Sequence, residues 1–86
     1  MFILSADIDS LMPWRFIFDP LQPELRKALK DHEELALRYF WDEKAQGVGS
    51  KDVWTYVNEK LGENKTISRA TTINFLKAMD EEGVLE

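Results

Sequence analysis

Residues 66–85 read Thr66-Ile67-Ser68-Arg69-Ala70-Thr71-Thr72-Ile73-Asn74-Phe75-Leu76-Lys77-Ala78-Met79-Asp80-Glu81-Glu82-Gly83-Val84-Leu85. The fold turns on this stretch. Ser68 stands where a helix needs a side-chain oxygen to take up its first free N–H groups. At 100° per residue, Thr72, Phe75, Leu76 and Met79 line one side of the helix and require an interior to face. Ala70, Asn74, Lys77 and Glu81 fall on the opposite side, with Arg69 and a half-buried Ile73 at its margins. Gly83 supplies the stop, because a helix end commonly needs one residue at positive φ. Val84-Leu85 then begins a strand.

The stretch before it repeats the logic. Ser50 is expected as the cap of a second helix, with Asp52 near its positive end. Val53, Trp54, Val57 and Leu61 form its inward stripe, and Gly62 ends it. Residues 63–67 make the turn between the two helices. Two short capped helices at this spacing, the second feeding a strand, form the core of a winged helix-turn-helix.

Upstream, Asp31-His32-Glu33-Glu34 has capping-box spacing, with Asp31 as N-cap and Glu34 at the third helical position. A helix is predicted over 32–46 and ended by Gly47. Leu35, Ala36, Leu37, Tyr39, Phe40 and Trp41 cover more than half its circumference, so it is central. A shorter helix is predicted over 23–30, with a single helix over 23–46 as the competing reading. Val48 makes a brief strand contact. Residues 1–22 form an apolar amino-terminal extension. Within it, Trp14, Phe16 and Phe18 alternate with Arg15 and Ile17, which suits a short half-buried strand. So many aromatics require cover, either from the rest of the chain or from a second copy.

The run Gly49-Ser50-Lys51-Asp52-Val53-Trp54-Thr55-Tyr56-Val57, with Ile67-Ser68-Arg69-Ala70-Thr71 and Phe75-Leu76 to Glu81-Glu82-Gly83-Val84-Leu85, resembles prokaryotic winged-helix transcriptional regulators of the penicillinase-repressor type. The resemblance covers about residues 31–86. It implies a mainly α fold: a winged helix-turn-helix over 23–86, with a three-helix core and a rudimentary β-sheet. In that family the last strand continues into a hairpin wing and carboxy-terminal dimerisation helices follow. The sequence stops at Glu86, so the wing is expected to be truncated.

The resemblance implies a DNA-binding regulator, a repressor by type, whose third helix, 69–82, reads the major groove of double-stranded DNA. Asn74 can pair with adenine and Lys77 can reach guanine or phosphate. Ser68, Arg69 and Thr71 at the helix start suit backbone phosphate, helped by free N–H groups and the dipole. Ala70 lies on the same outward face. Lys51 and Lys65 flank the two helix starts, where a DNA backbone would pass. A two-fold dimer through residues 1–22 and the 32–46 helix would match palindromic half-sites.

Charge qualifies this picture. The net charge is -5. Residues 1–49 carry six basic and nine acidic side chains, residues 50–78 five and three, and residues 79–86 none and four. Only the helix-turn-helix segment is positive, and only slightly, which predicts weak, salt-sensitive binding. An acidic domain with an apolar extension also suits a winged helix that binds another protein, and this is the alternative function.

With no cysteine and one histidine, His32, neither a thiolate site nor a transition-metal centre is expected. No cofactor motif, phosphate loop or nucleophile–base pair occurs, so catalysis is not expected. Asp7 and Asp9 follow the apolar Met1-Phe2-Ile3-Leu4 at once, so neither a signal peptide nor a membrane span is expected. A cytoplasmic protein is the expectation.

Overall fold

A computed structural model describes residues 1–12, 14–22, 24, 28–43 and 46–86. Three helices carry the structure: α1 (Asp31–Asp42), α2 (Ser50–Leu61) and α3 (Arg69–Glu81).

The third helix forms as its pattern requires. Ser68 is the N-cap in an extended conformation, and its Oγ accepts the Thr71 N–H at 3.1 Å. Thr72, Phe75, Leu76 and Met79 are all buried, while Ala70, Asn74 and Lys77 are exposed. Two backbone bonds close the helix end. Gly83 N–H donates to Asp80 O at 3.1 Å and Val84 N–H to Met79 O at 2.9 Å. This is the Schellman arrangement, with Gly83 at φ 83° as its left-handed residue.

The second helix begins one residue earlier than expected. Gly49, not Ser50, is the N-cap, and Ser50 is the first helical residue. Gly49 has no side chain to offer, so the Asp52 carboxylate does the capping by accepting the Gly49 N–H at 3.4 Å. Val53 and Val57 are fully buried, whereas Trp54 and Leu61 are half-buried.

The first helix is also displaced by one residue at its start. Lys30 is the N-cap, not Asp31, and Glu33, not Glu34, reaches back to accept the Lys30 N–H at 2.9 Å. Lys30 is extended (ψ 158°) and leads the helix in one residue before the Asp31–Glu34 register expected from the sequence. The same extended residue rules out one continuous helix over 23–46. Of the shorter 23–30 helix, Pro23 and residues 25–27 lie outside the described residues, and 28–30 are not helical. The helix ends at Asp42 rather than at Gln46, with Glu43 as its C-cap.

Residues 14–18 are not a strand. Trp14–Ile17 is a turn of 3-10 helix, and a second such turn spans Ile8–Ser10. The alternation that suggested a strand is broken by Ile17, which is fully buried alongside Trp14, Phe16 and Phe18. A 3-10 turn repeats every three residues and brings these groups onto the core in one tight winding.

This amino-terminal segment belongs to the same hydrophobic cluster as the three helices. Phe18 stacks on Trp41 at 4.3 Å between ring centroids, and the Arg38 guanidinium donates to the Ile17 carbonyl. The outer side of α1 is therefore packed by residues 14–18 of its own chain. The radius of gyration of 12.2 Å equals the ~12 Å expected for a compact chain of this length. The extension thus folds into the body. Among the described residues, the large apolar side chains left exposed are Met1, Met12 and Leu21.

Strand structure among the described residues is confined to two isolated antiparallel bridges, Phe2 with Val48 and Leu4 with Leu85. Residues 2–5 thus run between the α1–α2 connection and the segment after α3. Burying Leu37, Leu76, Val53 and Val57 contributes about 1.5–3 kcal/mol each. These four side chains fix α1, α2 and α3 against one another and so set the pose of the exposed face of α3.

Candidate nucleic-acid interface

The exposed face of α3 is built from its amino terminus outward. Ser68 and Thr71 share a hydroxyl–hydroxyl bond of 2.9 Å on top of the capping bond. Both side chains are thereby ordered at the helix start, each still presenting oxygen lone pairs to solvent. Arg69 follows, exposed, beside the free N–H groups of the first turn. Ala70, Asn74 and Lys77 continue along the same face at spacings of four and three. Ile73, at the margin, is half-buried. Six of the eight residues expected at the interface therefore lie on or immediately before one helix, and all six are exposed.

The other two lie elsewhere. Lys51 is exposed on the first turn of α2. Lys65 ends the 3-10 turn Glu63–Lys65 and lines an open depression of about 460 Å³ with Asp31, Glu34, Arg38 and Lys60. Acidic and basic groups are mixed there, so Lys65 does not stand in a uniformly positive patch.

Thr71 and Asn74 also border a separate open cleft of about 490 Å³, floored by Trp14, Phe75 and Met79 and flanked by Leu29 and His32. One side of the α3 face thus meets the segment leading into α1. The carboxy-terminal end of α3 is acidic: Asp80, Glu81 and Glu82 are exposed. A helix C-terminus already carries partial negative charge, so these groups deepen a field that repels phosphate. Any polyanion must approach the Ser68 end.

What aims α3 is a contact the sequence did not reveal. Ile67, the last residue of the turn, is gripped through its backbone. Asn58 Oδ1 accepts the Ile67 N–H at 3.0 Å, and Asn58 Nδ2 donates to Ile67 O at 3.4 Å. Trp54 Nε1 donates to the same carbonyl at 2.8 Å. Asn58 was conspicuous in one respect: asparagine is a poor residue for a helix interior unless its amide has a partner.

Between α1 and α2, Tyr39 and Tyr56 pack with ring centroids 4.6 Å apart, and Lys60 sits over the Tyr56 ring. Burial pushes both phenols above their ordinary pKa; Asp52 and Glu43 add to this at Tyr39, and Glu43 and Asp42 at Tyr56. Both are neutral hydrogen-bonding groups in the physiological range.

Among the described residues no helix is long and apolar enough to cross a membrane. Neither a protein-family model, nor a curated protein, nor a solved structure matches the chain.

Proposed function

We propose that the chain is a winged helix-turn-helix protein that binds double-stranded DNA as a transcriptional regulator, with α3 as its major-groove helix. The observation that carries this reading is the division of α3. Its apolar stripe is buried without exception, and its opposite face offers Ala70, Asn74 and Lys77 behind a Ser68-Arg69-Thr71 start. A helix of 13 residues is about 20 Å long, enough to lay two turns in a major groove. In this reading Asn74 meets a base edge and Lys77 a guanine or a phosphate, while Ser68, Arg69, Thr71, Lys51 and Lys65 hold phosphates. Residues 2–5 pair beside Val84–Glu86, directly after α3.

The regulator acts in the cytoplasm as a homodimer on palindromic half-sites, since one short reading helix gives limited affinity by itself. The apolar groups of residues 14–18 pack on α1, so among the described residues the dimer contact falls on the exposed Met12 and Leu21. Sedimentation at high concentration tests this; a strict monomer removes the dimer and leaves the DNA reading intact.

The test of the main reading is a fluorescence-anisotropy titration against genomic fragments at two salt concentrations, with wild type, Asn74→Ala and Arg69→Ala. Asn74→Ala should relax sequence preference, and Arg69→Ala should weaken binding to all fragments. Binding indifferent to both substitutions sinks the reading. The second reading, a winged helix that binds protein, is favoured by the net charge of -5 and by the acidic end of α3. It predicts no DNA affinity at any salt concentration.

A further inference from the structure

Residues 2–5 run between two short antiparallel pairings, one with Val48 and one with the segment after α3. Phe2 exchanges both of its backbone bonds with Val48, at 2.7 and 3.1 Å. Ile3 exchanges both of its own with Glu86, at 3.1 and 2.8 Å, and Ser5 N–H donates to Val84 O at 2.9 Å. An antiparallel strand turns successive residues to opposite neighbours. Phe2 therefore faces the α1–α2 connection, and Ile3 and Ser5 face the segment after α3. Ser5 locks the strand's exit: its hydroxyl accepts the Asp7 N–H at 3.2 Å and donates to Glu86 Oε1 at 3.4 Å, and its carbonyl accepts the Ile8 N–H at 3.1 Å. Ile8 then enters the core.

The consequence concerns α3. At its start, Asn58 and Trp54 grip Ile67. At its end, the Met79 carbonyl takes the Val84 and Leu85 N–H groups, which ties the last turn to residues 84–86. Those residues are held in turn by Ile3 and Ser5. The helix is thus clamped at both ends, and the second clamp is supplied from the opposite end of the chain.

We infer that the amino-terminal strand is a positioning clamp for α3, so that the binding competence of the α3 face depends on the pairing of residues 2–5 with Val84–Glu86. The functional half of this inference rests on α3 being the DNA-contacting helix; the pairing half does not. A ladder rung removed at Ile3 should tilt α3 without touching any residue on its exposed face.

The test uses the full chain with Ile3→Pro, which deletes the N–H that meets Glu86, and Ile3→Val, which keeps it. Amide hydrogen exchange followed by NMR should show Glu86 exchanging at least tenfold faster in Ile3→Pro and unchanged in Ile3→Val. The Ile67 amide, held by Asn58, should stay at its wild-type rate in both. At a temperature where Ile3→Pro is fully folded by circular dichroism, its DNA affinity should fall about tenfold with a shallower salt dependence, and Ile3→Val should match wild type. An unchanged Glu86 rate overturns the clamp. Faster exchange with wild-type affinity and salt slope overturns its control of α3. If the wild type binds no DNA, the regulator reading fails by itself, and residual dipolar couplings decide the clamp: α3 must reorient against α2 in Ile3→Pro, and an unmoved α3 refutes it. If Ile3→Pro does not fold, Ser5→Ala, which keeps every backbone N–H and loses only the hydroxyl bonds, must speed Glu86 exchange severalfold; an unchanged rate refutes the clamp.

Discussion

The side-chain amide of Asn58 pairs with the peptide of Ile67 as one backbone strand pairs with another, receiving its N–H at 3.0 Å and donating to its carbonyl at 3.4 Å. Nine residues separate the two, and the whole α2–α3 turn lies between them. The pair ties the end of the connection to α2 and so fixes where α3 begins.

Asn58→Ala should therefore cost more than a surface substitution. It strands the partly buried Ile67 N–H, and leaving such a donor unpaired costs about 1–3 kcal/mol. Urea unfolding should show a lowered midpoint at unchanged m-value. Trp54→Phe, which removes one of the two donors to the Ile67 carbonyl, should cost less because Asn58 Nδ2 remains. A larger loss for Trp54→Phe than for Asn58→Ala would show that packing, not the amide pair, holds the turn.

Thr72 presents the opposite case. Its side chain lies in the core at 1% exposure, and its Oγ1 has no hydrogen-bond partner among the described residues. A buried hydroxyl without a partner carries a desolvation cost with no return. Thr72→Val keeps the shape and removes the cost, so it should stabilise the fold by about 1 kcal/mol. Differential scanning calorimetry should then read a rise in Tm of ~4–8 °C. A lower Tm would mean the hydroxyl has a partner after all.

The parts of the fold that could be read from the residues are those where two local signals agree. Ser68 and the four-residue stripe of α3 name the same helix, and Gly83 closes it. Where signals compete, the reading slips. Asp31 and Glu34 have capping-box spacing, but Lys30 and Glu33 take those places and α1 starts one residue before the expected one. Trp14-Arg15-Phe16-Ile17-Phe18 imitates a period of two, but Ile17 is as buried as its neighbours and the segment winds as 3-10 helix. The exposed face of α3 was legible because periodicity alone defines it. The grips on Ile67 and Glu86 were not, because each joins residues that no local pattern connects.

The tyrosine pair gives the chain an alkaline limit. Burial and nearby carboxylates raise both phenols above the ordinary value of about 10. In the unfolded chain the phenols ionise first, so above about pH 10 the unfolded state holds fewer protons than the folded one. The stabilisation is complete below that pH and is lost as pH rises through the folded-state values. Chemical denaturation should show a flat stability up to about pH 9 and a decline beyond it. The double substitution Tyr39→Phe with Tyr56→Phe should flatten that decline. A decline of equal steepness in the double variant would assign it to other groups.

Charge along α3 makes the last expectation quantitative. Lys77 stands on the outward side of α3 and Glu81 one turn beyond it, both exposed. If Lys77 neutralises one phosphate, Lys77→Gln should lower the slope of log K against log[salt] by about 1. Glu81→Gln removes a like charge near the same backbone without adding a contact. It should raise affinity roughly twofold at low salt and leave the slope nearly unchanged, since the repulsion is screened within about 10 Å at 0.1 M. The two variants therefore separate a contact from a field. A loss of affinity in Lys77→Gln with the wild-type slope would place Lys77 on a base edge or outside the interface, and a competition series with sequence-scrambled duplexes would tell which. Equal changes for both variants, in slope as well as affinity, would mean that only the net charge of the chain is being read.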